Sequence, residues 1–215
     1  MLVMAYKYLV KADSARLGQL LDIFNDCATK VCEGQQYDMN FETMDDISVA
    51  DYLTMIELKT ATLLAASLQI GALIGGADPS EALRLFQFGK QLGVSFQLRD
   101  DWLDTFGNSE KIGKQAGGDI IQNKKTYLLI EAMQHSDAES KMQLQHWYRL
   151  PQFDPEEKVS VVTKLFINNG IRERTESATA FYFEQAMSHL EKLQVPDINK
   201  VMLMSWAKQL LQRDH

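Results

Sequence analysis

Phe96-Gln97-Leu98-Arg99-Asp100-Asp101-Trp102-Leu103-Asp104 gathers three carboxylates about one helical turn apart. Asp100 and Asp104 are i,i+4 neighbours and Asp101 and Asp104 are i,i+3 neighbours, and each like-charge pair weakens a helix by roughly 0.2–0.5 kcal/mol. No basic residue of the segment faces them. Thr105-Phe106-Gly107-Asn108 reads as the helix end, where the macrodipole is already negative. A bound cation relieves both penalties. Gln97, three residues before Asp100 on the same face, adds another oxygen, and an oxygen donor set suits a hard ion. Mg²⁺ fits best, because it takes one or two carboxylates, keeps several waters and completes its shell with substrate phosphates. The competing explanation is a solvated acidic helix end.

Basic residues come soon after. Gly113-Lys114-Gln115-Ala116-Gly117-Gly118-Asp119 and Asn123-Lys124-Lys125-Thr126 place Lys114 and Lys124 on a glycine-containing loop just beyond the aspartates. Ammonium groups beside Mg²⁺ would make a diphosphate site, although lysines in such a loop can simply be exposed, and the spacing is not that of a nucleotide-binding P-loop. Lys59 has Met55, Ile56, Thr62 and Leu63 as helical neighbours, so its counter-charge must come from elsewhere unless it snorkels to solvent. Gly34-Gln35-Gln36-Tyr37-Asp38 puts polar groups after an apolar run and by itself reads as a C-cap and turn ending an earlier helix.

The elements that must carry these residues are helical throughout, with no alternating strand pattern and only four prolines. Helices are expected near 1–12, 14–33, 48–76, 80–106, 125–135, 138–149, 156–168, 171–194 and 198–212, with a long loop over Gly107 to Asn123. Asp78-Pro79-Ser80-Glu81 and Asp154-Pro155-Glu156-Glu157 sign two helix starts with an N-cap acid, a proline at the first position and an acid at the third. From Ser48 onward, Val49, Leu53, Ile56, Thr60, Leu63, Ser67, Ile70 and Ile74 form one stripe expected to pack between neighbours. The expectation is an all-α bundle in which residues 1–215 form a single domain.

A length of 215 residues with 46% hydrophobic residues can bury one sizeable core, and a net charge of −7 argues against non-specific nucleic-acid binding. Any anionic ligand must therefore be held locally. Thr60 to Ala77 carries no charge, but Gln69, hydroxyl residues and glycines dilute it, so a buried core helix is expected and no membrane span. Cys27 and Cys32 point roughly 140° apart on a helix, unsuited to a disulfide, and read as small core residues in a reducing cytoplasm. The first residues lack both a basic leader and an N-cap, and resemble the interior of a longer element.

Taken together and in order, four segments resemble the trans-isoprenyl diphosphate synthases, the family of farnesyl and geranylgeranyl diphosphate synthases. Phe96-Gln97-x-x-Asp100-Asp101-x-x-Asp104 resembles the second aspartate-rich motif, and Gly113-Lys114 through Lys124-x-Thr126 the lysine loop after it. Lys59-Thr60 is similar to the Lys-Thr pair, and Gly34-Gln35-x-x-Asp38 to the Gly-Gln-x-x-Asp motif. The likeness covers most of the chain and fades after about residue 135. It implies an all-α isoprenoid-synthase bundle with a deep cavity, joining an allylic diphosphate to isopentenyl diphosphate: diphosphate leaves, the isopentenyl double bond attacks the allylic cation, and a proton is lost to the departing diphosphate. By matching motif, Asp100 and Asp104 hold Mg²⁺ with Asp101 in support, and Lys59, Lys114 and Lys124 neutralise the allylic diphosphate. Thr60 and Gln97 flank the cation, Gln35 and Asp38 orient Lys59, and Phe96 walls the isopentenyl site. Family members pair through long helices, so a homodimer is implied.

The sequence departs from the family in lacking the first aspartate-rich motif and the paired arginines after it; Asp45-Asp46 is followed by Val49 where a third aspartate belongs. The expectation is an N-terminally truncated chain, missing roughly one third of a family member and impaired or inactive alone. The alternative is a non-catalytic helical subunit regulating a heteromeric prenyl diphosphate synthase. A class I terpene cyclase shares the scaffold but wants Ser or Thr at Asp104 and Glu at Asn108.

Overall fold

The computed structural model describes residues 2–107 and 117–211. Among them every regular element is helical: α1 Leu2–Leu9, α2 Ser14–Phe41, α3 Val49–Ile56, a π-helical turn Glu57–Ala61, α4 Thr62–Ile74, α5 Pro79–Phe106, α6 Gly118–Ile121, α7 Tyr127–His135, α8 Ala138–Arg149, α9 Pro155–Asn168, α10 Ile171–Glu191 and α11 Asp197–Leu211. The chain is thus all-α, and both signed starts are where the residues put them. The Asp78 side chain accepts from Ser80 N at 2.8 Å, and that of Asp154 from Glu156 N and Glu157 N at 2.8 and 3.0 Å.

Helix α5 is the axis. It runs along α4 on one side and α10 on the other, with Phe88, Leu92 and Leu98 fully buried. At its C-terminal half, Val94 and Leu98 join Phe41, Tyr52, Met55, Ile56, Tyr127 and Ile130 in one apolar cluster, which forms the base under the candidate site. A second cluster, around Leu128, Leu144, Val162 and Phe166, seats α6 to α9.

Three expectations need correction. Helix α2 does not end at Gly34 but continues to Phe41. Gly34 lies inside it because a Cβ there would stand 2.4 Å from Lys59 N and 2.8 Å from Leu58 Cβ, so only glycine lets the two segments touch. The single stripe from Val49 to Ile74 is broken by the π-turn, in which Thr62 N–H reaches back five residues to Glu57 O. The extra residue rotates the α4 side chains by about 100° relative to those of α3. Ala61, Thr62, Ala65, Ala66 and Leu73 are buried as a result, while Leu63 and Ile74 are 54% and 58% exposed. By length and composition Val49–Ile74 could cross a membrane; here it packs in the bundle against α2 and α5. Finally, Cys27 is buried as expected, but Cys32 is exposed, and both are free. Their opposed directions on α2 exclude a shared place in the core.

Candidate active site

The π-turn is wedged on both sides. Gly34 of α2 meets it at Leu58 and Lys59, and Gly93 of α5 meets it at Ala61, whose Cα would lie 2.5 Å from an added Cβ. Held there, Thr60 faces Gln97 of α5 and Lys59 faces Asp38 of α2. Lys59 Nζ donates to Asp38 Oδ2 at 2.6 Å, which supplies the counter-charge that its own helix lacks. Both side chains are about two-fifths exposed, at 36% and 40%, so the pair orients Lys59 more than it stabilises the fold.

From Thr60 a hydrogen-bonded relay crosses to the aspartates. Thr60 Oγ1 donates to Gln97 Oε1 at 3.2 Å, and Gln97 Nε2 donates to Asp101 Oδ1 at 3.1 Å. The Tyr52 hydroxyl donates to Asp101 Oδ2, toward which the Tyr127 N–H also points at 3.4 Å. The three aspartates therefore occupy three environments. Asp100 is exposed, Asp101 is 3% exposed with its oxygens engaged by protein donors, and Asp104 is intermediate. Burial pushes Asp101 up to about 7 even though the Tyr52 and Gln97 hydrogen bonds favour its charged form. Burial also raises Asp104, against the hydrogen bond from Asp119 N–H.

The opposite rim is the turn after α5. Gly117 N donates to Asp104 O at 2.6 Å and Asp119 N to Asp104 Oδ2 at 2.9 Å, tying the start of α6 to the last turn of α5. Lys124 Nζ donates to Asp119 Oδ1. Burial alone would depress the Lys124 ammonium, but the hydrogen bond and charge of Asp119 hold it above its ordinary value. Asp119, Tyr52 and Tyr127 were not singled out by sequence reasoning. Only Asp119 left a signal, as an acid five residues before Lys124 in the glycine-containing loop.

These groups surround a cavity of about 790 Å³ whose lining includes Asp38, Lys59, Thr60, Gln97, Asp100, Asp101, Asp104, Asp119 and Lys124, with Phe41, Met55, Ile56 and Leu103 as its apolar part. Of the residues expected in the site, Gln35 is exposed, and neither it nor Phe96 belongs to that lining. Lys114 lies outside the described residues. Among the described residues no three acidic, His or Cys side chains converge as a metal cage. The donors present suit the other mode, in which one or two carboxylates share a hard cation with a phosphate ligand: Asp100 is open to solvent, and Asp104 has one oxygen engaged by Asp119 N–H.

Comparison with known proteins gives the family. The polyprenyl synthetase family model matches residues 1–166, and the chain belongs to that family. It is 31% identical over 203 residues to the short chain isoprenyl diphosphate synthase of Methanothermobacter thermautotrophicus, covering 94% of this chain and 61% of that protein. A crystal structure of a geranylgeranyl pyrophosphate synthase matches with a TM-score of 0.92 at 38% identity, over 98% of this chain and 65% of the other. The geranylgeranyl pyrophosphate synthase of Corynebacterium glutamicum, solved with isoprenyl diphosphate and magnesium, matches with a TM-score of 0.84 at 28% identity, over 94% and 57%. The fold is therefore of the isoprenoid synthase type, and the chain spans less than two thirds of the length of each of these proteins.

Proposed function

We propose that this chain provides the allylic-diphosphate side of a Mg²⁺-dependent prenyltransferase that condenses an allylic diphosphate with isopentenyl diphosphate. The observation that carries the reading is a cavity whose lining combines Asp100 and Asp104, Lys59 and Lys124, and an apolar portion of Phe41, Met55, Ile56 and Leu103. That combination suits a ligand with an anionic head and a hydrocarbon tail. The relative solved with isoprenyl diphosphate and magnesium supports the same pairing.

Asp100 and Asp104 would hold the metal, and Asp101, itself held by Gln97 and Tyr52, would support them from beneath. When bound, Mg²⁺ would neutralise the diphosphate and ease its departure. Lys59, set by Asp38, and Lys124, set by Asp119, bring two ammonium groups to the diphosphate oxygens. Thr60 and Gln97 present oxygen lone pairs where positive charge develops on the allylic carbon. The departing diphosphate takes up the proton that the condensation releases.

The test is incorporation of labelled isopentenyl diphosphate onto an allylic diphosphate, together with calorimetric titration of Mg²⁺ and inorganic pyrophosphate. Pyrophosphate binding that requires Mg²⁺ and is lost in Asp104→Asn is expected; no binding with Mg²⁺ present overturns the proposal. A second reading is a non-catalytic subunit of a heteromeric synthase. It requires copurification with a larger catalytic partner and turnover only in that partner's presence. Homodimerisation is also proposed, since Leu2, Val3, Met4 and Tyr8 of α1 are exposed; light scattering showing only monomer across concentrations would reject it. The free thiols suit a cytoplasmic setting.

A further inference from the structure

Lys158 is fully buried in the first turns of α9. The position is doubly unfavourable for a cation. Burial strips its ammonium of water, and the N-terminal end of a helix is electropositive. Its described partners are one amide oxygen and two aromatic faces rather than a carboxylate. Nζ donates to Asn123 Oδ1 and stands 4.1 Å from the ring centroid of Phe153 and 5.0 Å from that of Tyr148. A methionine would fill the same space without the desolvation cost, so the contact with Asn123 is where the ammonium has a task.

Asn123 lines the cavity and is the one non-glycine residue with positive φ among the described residues, at 57°. That left-handed conformation is costly for an L-residue and least so for Asn. It reverses the chain between α6 and Lys124, so that Lys124 N donates to Asp119 O at 3.0 Å and Lys124 Nζ reaches Asp119 Oδ1. The next residue of α9 secures the other end of the same segment: a Cβ on Gly117 would lie 2.6 Å from Val159 Cγ1. Helix α9 thus grips both ends of Gly117–Asn123, Val159 at the glycine beside Asp104 and Lys158 at the turn before Lys124.

We infer that Lys158 is a positioning residue for the diphosphate site: by holding Asn123 it sets the turn that presents Asp119 and Lys124 to the cavity. The ligand in this inference rests on the proposed function; the positioning does not, and the two are tested separately. Amide exchange reads the positioning without ligand. Lys158→Met is expected to speed exchange at Asp119, Asn123 and Lys124 while leaving Leu92 and Leu98 of α5 unchanged, and unchanged exchange in that turn overturns the inference.

Calorimetric titration of Mg²⁺ and inorganic pyrophosphate reads the consequence. The expected loss of affinity in Lys158→Met is roughly tenfold, as when a group that orients a binding residue is removed. In a Lys124→Met background the same substitution is expected to cost less than about twofold, because it acts through Lys124. Full additivity of the two losses, or a lower unfolding temperature with affinity unchanged, overturns it. Should Lys158→Met fail to fold, Asn123→Gly keeps the left-handed backbone and removes the acceptor, and it must show the same faster exchange at Lys124. Absence of pyrophosphate binding in the unmodified chain would sink the proposed function alone, leaving the exchange result to decide on Lys158.

Discussion

The two rims of the cavity are held by different forces. Lys59 and Thr60 ride a π-turn pressed between Gly34 and Gly93, where one added methyl group would meet backbone at 2.4–2.5 Å. Asp119 and Lys124 ride a turn held by hydrogen bonds to Asp104 and Asn123, with side chains rather than backbone beneath it. Backbone contacts cannot relax without moving two helices, whereas a hydrogen-bonded turn can yield locally. The first rim is the stiffer of the two, and the second is the one that a substitution can shift locally.

This contrast is most directly broken at the glycines. Gly93→Ala forces α5 away from Ala61 and is expected to cost about 3 kcal/mol, lowering the unfolding temperature by about 6–12 °C and weakening pyrophosphate binding through Lys59. Gly117→Ala meets the Val159 side chain, with Cγ1, Cγ2 and Cβ at 2.6, 2.7 and 3.2 Å, and a positive φ of 80°, but no backbone, so its cost should be smaller, about 1–2 kcal/mol. Equal losses in thermal unfolding followed by circular dichroism would remove the distinction between the rims.

A second contrast lies inside the aspartate triplet. Asp101→Ala leaves the Tyr52 hydroxyl buried without its acceptor and is expected to cost about 2–3 kcal/mol. Asp104→Asn keeps an oxygen for Asp119 N–H, so its stability should change by less than about 1 kcal/mol while Mg²⁺-dependent pyrophosphate binding is lost. Denaturant unfolding and calorimetry on the two variants give opposite patterns if the roles are divided in this way, and the same pattern if they are not.

Much of this could be read from the residues. Helix type followed from apolar spacing, two helix starts from Asp-Pro pairs, and the triplet, Lys59 and Lys124 from their local charge, whereas Thr60 entered only through the resemblance to the family's Lys-Thr pair. The features that depend on a distant backbone could not be read. Gly34 looks like a C-cap because its reason, contact with Lys59 N, lies 25 residues away. The π-turn is invisible for a similar reason: the extra residue changes which face is buried only after Gly93 and Gly34 have closed on it. The division of labour among Asp100, Asp101 and Asp104 depends on Tyr52 and Tyr127, which no spacing rule associates with an acidic helix end.

A smaller effect is expected at the Lys59–Asp38 pair. With both side chains substantially exposed, Asp38→Ala should change stability by less than about 1 kcal/mol. Lys59 then loses its orienting partner, and pyrophosphate affinity should fall by about 0.5–1 kcal/mol, a few-fold change. Unchanged affinity would mean that the π-turn alone aims the ammonium, making the first rim more rigid than described.

The smallest effect is a slope with pH on the second rim. Burial holds the Lys158 ammonium below its ordinary value. Between that lowered folded-state value and the unfolded value near 10.5, the unfolded chain binds a proton that the folded chain does not, so stability rises with pH across this window. Below the window both states are protonated, and the desolvation cost is constant. Tyr52 and Tyr182 are held above their ordinary values, mainly by burial, so they oppose the trend at higher pH; they are common to the unmodified chain and the variant. The stability of the unmodified chain minus that of Lys158→Met, from denaturant unfolding at a series of pH values up to about 10, should therefore increase with pH. A flat difference would mean that the ammonium keeps its proton throughout, held more firmly by Asn123 and the two rings than burial weakens it.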